Sequence, residues 1–267
     1  MIQGHSGTAA HTPKITGRVG ALAGFVLAAA AFLSSCAPRA TVSVPVSAAD
    51  PAGILFGATL SPASESLIRK LSGAGGAGGS AAGTAVSVFD APGISASLKA
   101  AGIGAQSVTA EGASLAVSAL VPKADGFLNG AVSVNPGQRL FRISVNRQTV
   151  AAAIGLMPVS TRDYLDLLMA PVFTGETMSA GEYRDLIGAA YGKTIATELS
   201  AARFTLTVKA PSPVKAATIA AADGNAGAAG TAADSGSVKT AGNEAIFNIP
   251  LITLLTLESP LTVEVGW

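Results

Sequence analysis

Histidine and cysteine are nearly missing from this chain of 267 residues. It has two histidines, His5 and His11, and one cysteine, Cys36, so no histidine or cysteine follows residue 36. The rest of the sequence cannot assemble a Ser-His-Asp or Cys-His catalytic group. It also cannot supply histidine or thiolate ligands to a zinc or copper site, and it cannot form a disulfide.

The first 35 residues have the parts of a secretory signal. Lys14 and Arg18 supply positive charge, and the 15 residues 19–33 form an apolar run without charge. As a helix this run would span ~22 Å, at about 1.5 Å per residue, which is less than the ~30 Å hydrocarbon core of a bilayer. The run is therefore interpreted as the core of a cleaved signal and not as a permanent transmembrane helix.

The residues that end this segment are Leu33, Ser34, Ser35 and Cys36. A branched apolar residue, two small residues and a cysteine resemble the lipobox of bacterial lipoproteins. The resemblance implies cleavage between Ser35 and Cys36 and acylation of Cys36, including palmitate-type chains. Several chains give a stable anchor, because each buried methylene contributes roughly 0.8 kcal/mol. The alternative is an ordinary cleaved signal peptide with a chance cysteine.

The residue after the cysteine bears on localisation. Ala37 is similar to the default residue for sorting to an outer membrane, whereas an aspartate there would imply retention at the inner membrane. We expect an exported protein that is anchored through Cys36 to the bacterial cell envelope, at the outer membrane.

Charge and glycine patterns exclude several partner classes. Without Lys14 and Arg18 the chain has 15 basic and 16 acidic residues, so it has no basic footprint for nucleic acid. The glycine pattern of residues 73–78 opens no helix, and that of residues 188–194 is one residue too short for a phosphate loop. We expect no nucleic acid, nucleotide, metal or cofactor.

Composition divides the chain into three parts. Residues 1–35 are the lipoprotein signal peptide, and residues 36–52 are predicted to be the lipidated cysteine and a flexible tether, since proline recurs there among small residues. Residues 53–267 are predicted to form a single α+β domain. Glycine and alanine dominate two low-complexity loops within it, at about 72–83 and 220–236, and the second is expected to close a hairpin.

Strands are predicted where apolar and polar residues alternate. Phe141, Ile143 and Val145 alternate with polar residues, which is typical of a half-buried strand. The same pattern occurs in 204–209 and 261–267, and weaker candidates are 54–59, 86–89, 108–110, 115–120 and 245–249. The alternation predicts a largely antiparallel sheet with one covered face, packed by three to four helices and interrupted by long Gly/Ala-rich loops.

Helices are predicted mainly in the middle of the chain. Ser179 and Glu182 have the spacing of a capping box, and Ser160 with Asp163 imitates one. The helix after Ser179 is expected to break at Gly192. Further helices are predicted after Ser61-Pro62, over 148–156 and over 251–255.

Two kinds of residue keep a histidine-independent hydrolase open as an alternative. Ser212 and Lys215 have the S-x-x-K spacing of serine-lysine acylases, although the preferred interpretation is a turn between two strands. The other kind is a pair of acids one helical turn apart, which occurs as Asp163/Asp166 and as Glu182/Asp185. Capping is preferred for both pairs, because acids in a first turn stabilise the helix dipole by roughly 0.3–1 kcal/mol.

The segment 165–173 is strongly apolar and contains Pro171. It is interpreted either as a core helix or as an amphipathic element that contacts lipid, a partner or an apolar ligand. The candidate contact residues are Leu165, Leu168, Met169, Val172 and Phe173.

Three short segments lie at the two ends of the predicted domain, namely residues 50–54, 247–251 and 257–265. They resemble outer-membrane lipoproteins of an uncharacterised spirochaete type. The resemblance implies no catalytic residue. The leading hypothesis is a non-catalytic envelope lipoprotein that binds an envelope protein or has a structural role, and the alternative is a carrier of lipid or another apolar ligand.

Overall fold

The computed structural model describes residues 39–45, 50–71, 87–154, 177–221 and 236–267. Its strands are β1 Arg39–Ser43, β2 Ala52–Thr59, β3 Gly104–Glu111, β4 Ser114–Val121, β5 Val132–Asn135, β6 Leu140–Val145, β7 Arg203–Lys209, β8 Ala216–Ala221, β9 Ser237–Ala241, β10 Glu244–Pro250 and β11 Leu261–Gly266. Its helices are α1 Pro62–Leu71, α2 Ala91–Ala100, α3 Phe127–Gly130, α4 Arg147–Ile154, α5 Ala180–Tyr191, α6 Lys193–Ala201 and α7 Leu251–Leu255.

The described strands form two sheets. One has seven strands in the order β3-β4-β2-β1-β7-β10-β9, and the other has four in the order β5-β6-β11-β8. Within the described residues every pairing is antiparallel except that of β1 with β7. A mixed α/β protein with extensive antiparallel sheet is therefore confirmed, but the sheet is divided in two.

Strand β1 corrects the predicted tether. Arg39 lies opposite Gly57 of β2 in an antiparallel ladder and beside Thr205 of β7 in a parallel one. Ala40 and Val42 are buried, whereas Arg39 and Ser43 point to solvent. The prolines in this segment led to the prediction of a tether. They lie on either side of β1, at positions 38 and 45, where they interrupt no hydrogen-bonded ladder.

Alternation places the core on one face of each sheet. Phe141, Ile143 and Val145 are buried, as predicted, and the inward residues of β7 and β11 are buried in the same way. The buried side chains of both sheets and of the helices form one contiguous hydrophobic cluster. The covered faces thus meet each other and the helices, while the opposite faces stay partly exposed.

Local hydrogen bonds explain where the helices begin and end. Ser179 accepts a hydrogen bond from the Glu182 backbone N–H, and the Glu182 carboxylate accepts one from the Ser179 N–H, so the predicted capping box is confirmed. Gly192 has φ 98° and separates α5 from α6. Ser61 accepts from the Ser64 N–H and donates to Glu198, which links α1 to α6.

The described helices pack in three groups. Helix α2 lies beside β3, and α3 contacts α4 and β5. Helices α1, α5 and α7 contact α6, and α7 also contacts β10. Helix α2 was not predicted; the Asp90 side chain caps it by accepting from the Gly93 N–H. None of the described helices is long and apolar enough to cross a membrane.

Two sequence predictions on local structure are wrong. Residues 87–89 form a bend before α2 and not a strand. The low-complexity stretch 220–236 does not close a hairpin, because β8 continues to Ala221 and belongs to the four-stranded sheet, whereas β9 belongs to the seven-stranded one. Predictions for residues 1–38, 72–83 and 155–176 lie outside the described residues.

The position of β1 predicts that Thr41→Pro destabilises the protein. Strand β1 is paired on both sides, so the Thr41 N–H faces a neighbouring strand whichever way it points. Loss of that hydrogen bond lowers the free energy of unfolding by about 1–3 kcal/mol when the acceptor stays buried. Urea unfolding should show this loss, while the Thr41→Val control should stay near the wild type. Equal stability of the proline variant would mean that the segment is a tether.

Candidate functional site

The candidate site is an apolar cavity between the two sheets. The seven-stranded sheet contributes side chains from β1, β2, β4, β7 and β10, and the four-stranded sheet contributes side chains from β5, β6 and β11. The lining residues are Val42, Ala52, Ile54, Val121, Ala124, Phe127, Val132, Phe141, Ile143, Val145, Phe204, Leu206, Ile249 and Val263. Strand alternation brings twelve of these residues together, because each of the twelve occupies an inward strand position. The other two are Ala124, in the connection after β4, and Phe127, the first residue of α3.

The size and lining of this cavity limit what it can hold. Its volume is about 40 Å³, whereas pockets for small-molecule ligands typically measure roughly 300–1,000 Å³. A water could fit by volume, but it would need about 2–4 polar partners, and the described lining is entirely hydrophobic. The arrangement can offer van der Waals contact to a small apolar group and no acid, base or nucleophile.

The residues considered for hydrolysis are not combined into one site by the described structure. Ser212 and Lys215 lie in the irregular connection between β7 and β8, as the turn interpretation predicted. The Lys215 backbone N–H donates to the Gly266 carbonyl oxygen at 2.8 Å and so holds this connection against β11. Their local conformation lacks the helix that places the lysine one turn from the serine in serine-lysine acylases.

Of the described acid pair, only Glu182 serves the start of α5; Asp185 lies beyond its first turn, so capping was the wrong interpretation for Asp185. The Glu182 carboxylate accepts from the Ser179 hydroxyl at 2.7 Å and from the Ser179 N–H at 2.9 Å, and these bonds, the side-chain bond first, lower the pKa of Glu182. Asp185 is exposed and pairs with Arg184. Capping therefore accounts for Glu182, while Asp163 and Asp166 lie outside the described residues.

The aromatic residues near this helix belong to the core. Tyr183 is almost fully buried, and burial is the main cause that raises the pKa of its phenol, with a smaller contribution from Tyr191. Half-buried Tyr191 also has a raised pKa because of burial. Both phenols therefore stay neutral at ordinary pH. Tyr183 is therefore a core residue, and Tyr191 lies at the edge of the core.

Two open clefts were not predicted from the sequence. The larger, of about 420 Å³, lies between α5 and α6 and includes Arg184, Asp185 and Lys193. The other, of about 330 Å³, lies between the start of α4 and residues 257–260. Within the described ranges no three histidine, cysteine or acidic residues are close enough to hold a metal ion.

The predicted modification and contact residues are not part of the described structure. Ser35 and Cys36 precede its first residue. The gap at 155–176, between the described ranges 87–154 and 177–221, contains Leu165, Leu168, Met169, Val172 and Phe173. The cavity itself has no sequence motif, since most of its lining comes from eight strands that are spread along the chain. Comparison of the chain with protein-family models, with curated proteins and with solved structures gives no match.

The cavity predicts that one added methyl group stabilises the protein. Val263→Ile places a methyl in free space, so it should raise the free energy of unfolding by about 0.5–1 kcal/mol. The matched control is Val208→Ile, at a fully buried strand position outside the lining, where overpacking should cost about 1–3 kcal/mol. Denaturant unfolding of both variants checks the pair. Equal destabilisation by both would contradict a dry void beside Val263.

Proposed function

We propose that the protein is a lipid-anchored lipoprotein of the bacterial cell envelope with a non-catalytic binding or structural role. The observation that carries the proposal is the sequence Leu33-Ser34-Ser35-Cys36, which begins with the last residue of the apolar run 19–33. The signal is removed before Cys36, the acyl chains on Cys36 hold the protein to the membrane, and Ala37 favours the outer membrane.

A non-catalytic role is supported by what the reactive side chains do. Glu182 caps a helix, Asp185 pairs with its neighbour Arg184, and Ser212 and Lys215 lie in a strand connection. The cavity between the sheets has a hydrophobic lining and offers no group for proton transfer. A partner protein or another envelope component is the proposed binding target.

Complementation of a deletion strain tests this proposal. Cys36→Ser should lose the acyl chains and fail to restore envelope integrity, because the protein no longer stays at the membrane. The Ser35→Ala control keeps a small residue before the cysteine and should restore it. Intact mass gives the acylation state, and dye entry into cells measures integrity.

Complementation of the same deletion strain also distinguishes the binding role from the hydrolase alternative. A Ser212→Ala/Lys215→Ala variant and a Glu182→Gln variant should both restore integrity, since neither changes the anchor. A folded double variant that fails to complement would point to serine-lysine chemistry. Acylation that persists in Cys36→Ser would refute the anchor.

A second candidate function is the transport of lipid or another apolar ligand. The observation that favours it is the hydrophobic lining of the cavity, to which both sheets contribute. At about 40 Å³ the cavity is far smaller than the roughly 300 Å³ that ligand pockets start from. A lipid chain could enter only if the two sheets moved apart.

Native mass spectrometry of the detergent-solubilised mature protein tests the carrier function. A carrier should show an extra mass beyond the acylated chain, removable with organic solvent and identified as lipid. Val263→Ile should reduce that occupancy, because it fills the space the ligand needs, while an exposed Lys123→Gln substitution should not. A mass that equals the acylated chain alone would exclude a tightly held lipid.

A further inference from the structure

The first described strand begins three residues after the proposed lipid anchor. Cys36 precedes Arg39 by three positions, so their Cα atoms are at most about 11 Å apart even in a fully extended chain. Arg39 is fixed in the middle of the seven-stranded sheet, because β1 pairs with β2 on one side and β7 on the other. An anchor on so short a connection leaves the domain little freedom to turn away from the membrane.

The strand registers define two opposite ends of this sheet. The row that crosses the sheet at its Arg39 end is Arg39, Gly57, Thr205, Asn248 and Ser237. The row at its Ser43 end is Ser43, Gly53, Lys209, Glu244 and Ala241. About 13 Å separates the two rows, which are four residues apart along each strand.

The Arg39 end carries positive charge on its exposed side. Arg39 and Arg203 are both exposed, and Arg203 lies two residues beyond Thr205, the neighbour of Arg39. The Arg203 guanidinium donates to the carbonyl oxygens of Ser200 and Ala202, both at 2.9 Å, and is thereby held at the end of α6. Guanidinium groups match phosphate oxygens in geometry and charge.

We propose that the Arg39 end of the seven-stranded sheet lies against the lipid surface that holds the anchor, with Arg39 and Arg203 at the level of the lipid phosphates. The inference rests on the proposed acylation of Cys36. The Ser43 end then points into the aqueous compartment, where the Lys209–Glu244 ion pair crosses two strands. This orientation decides which surface a soluble partner can reach.

Depth measurement with single cysteines tests the orientation. Acylation consumes Cys36, and the chain has no other cysteine, so one introduced cysteine is labelled selectively. Thr59→Cys and Ser237→Cys report the Arg39 end on either side of β1, and Ala241→Cys reports the Ser43 end; all three positions are exposed. The full acylated protein, labelled with bimane, is reconstituted in phosphatidylethanolamine–phosphatidylglycerol vesicles with a nitroxide on some headgroups.

The expected result is at least about twofold quenching at Thr59 and Ser237 and little at Ala241, since about 13 Å separates the rows. Arg39→Gln should weaken the quenching at Thr59, whereas Lys123→Gln, at the Ser43 end, should not. Equal quenching at all three labels, or the strongest at Ala241, would overturn the proposal.

Intact mass distinguishes the two ways in which the experiment can fail. An acylated, vesicle-bound protein without quenching at any label would show that the domain stands away from the bilayer, which overturns the orientation and leaves the anchor intact. A mature chain without acyl chains would refute the proposed function, and the orientation would fall with it.

Discussion

The ladder between β1 and β7 is the interaction on which the rest of the structure depends. β1 stands between β2, β4 and β3 on one side and β7, β10 and β9 on the other, so it joins two groups of three strands into one sheet. Its pairing places Val42 between Ile54 and Val208. Val42 and Ile54 then face the four-stranded sheet across the cavity, where the two halves of the chain share one core.

Sequence patterns predicted those strands and helices that are determined by residues close together in the chain. Phe141, Ile143 and Val145 alternate over a full strand, and Ser179 with Glu182 makes its capping box within four residues, so both were visible in the sequence. β1 was missed because five residues with alanine and valine as the inward side chains alternate only weakly. The division into two sheets could not be predicted, since it depends on which distant strands pair.

The candidate site shows the same limit. A motif search finds residues that lie close in sequence, and such residues in this chain proved to be caps and turns, as with Glu182 and Ser212. The cavity has no such signature. Most of its lining residues are single inward positions spread over eight strands, and in the sequence each of these positions is indistinguishable from an ordinary core residue. Cys36 is the exception: its role depends on four adjacent residues and stays a prediction from the sequence.

The parallel ladder also sets the order in which the fold can be completed. A chain made from its N-terminus presents Arg39–Ser43 early, and the antiparallel partner β2 follows within a few residues, but β7 begins only at Arg203. Until that strand arrives, β1 has one open edge, and contacts between such distant residues form slowly. We therefore expect β1 to need protection against pairing with other chains until β7 has been made.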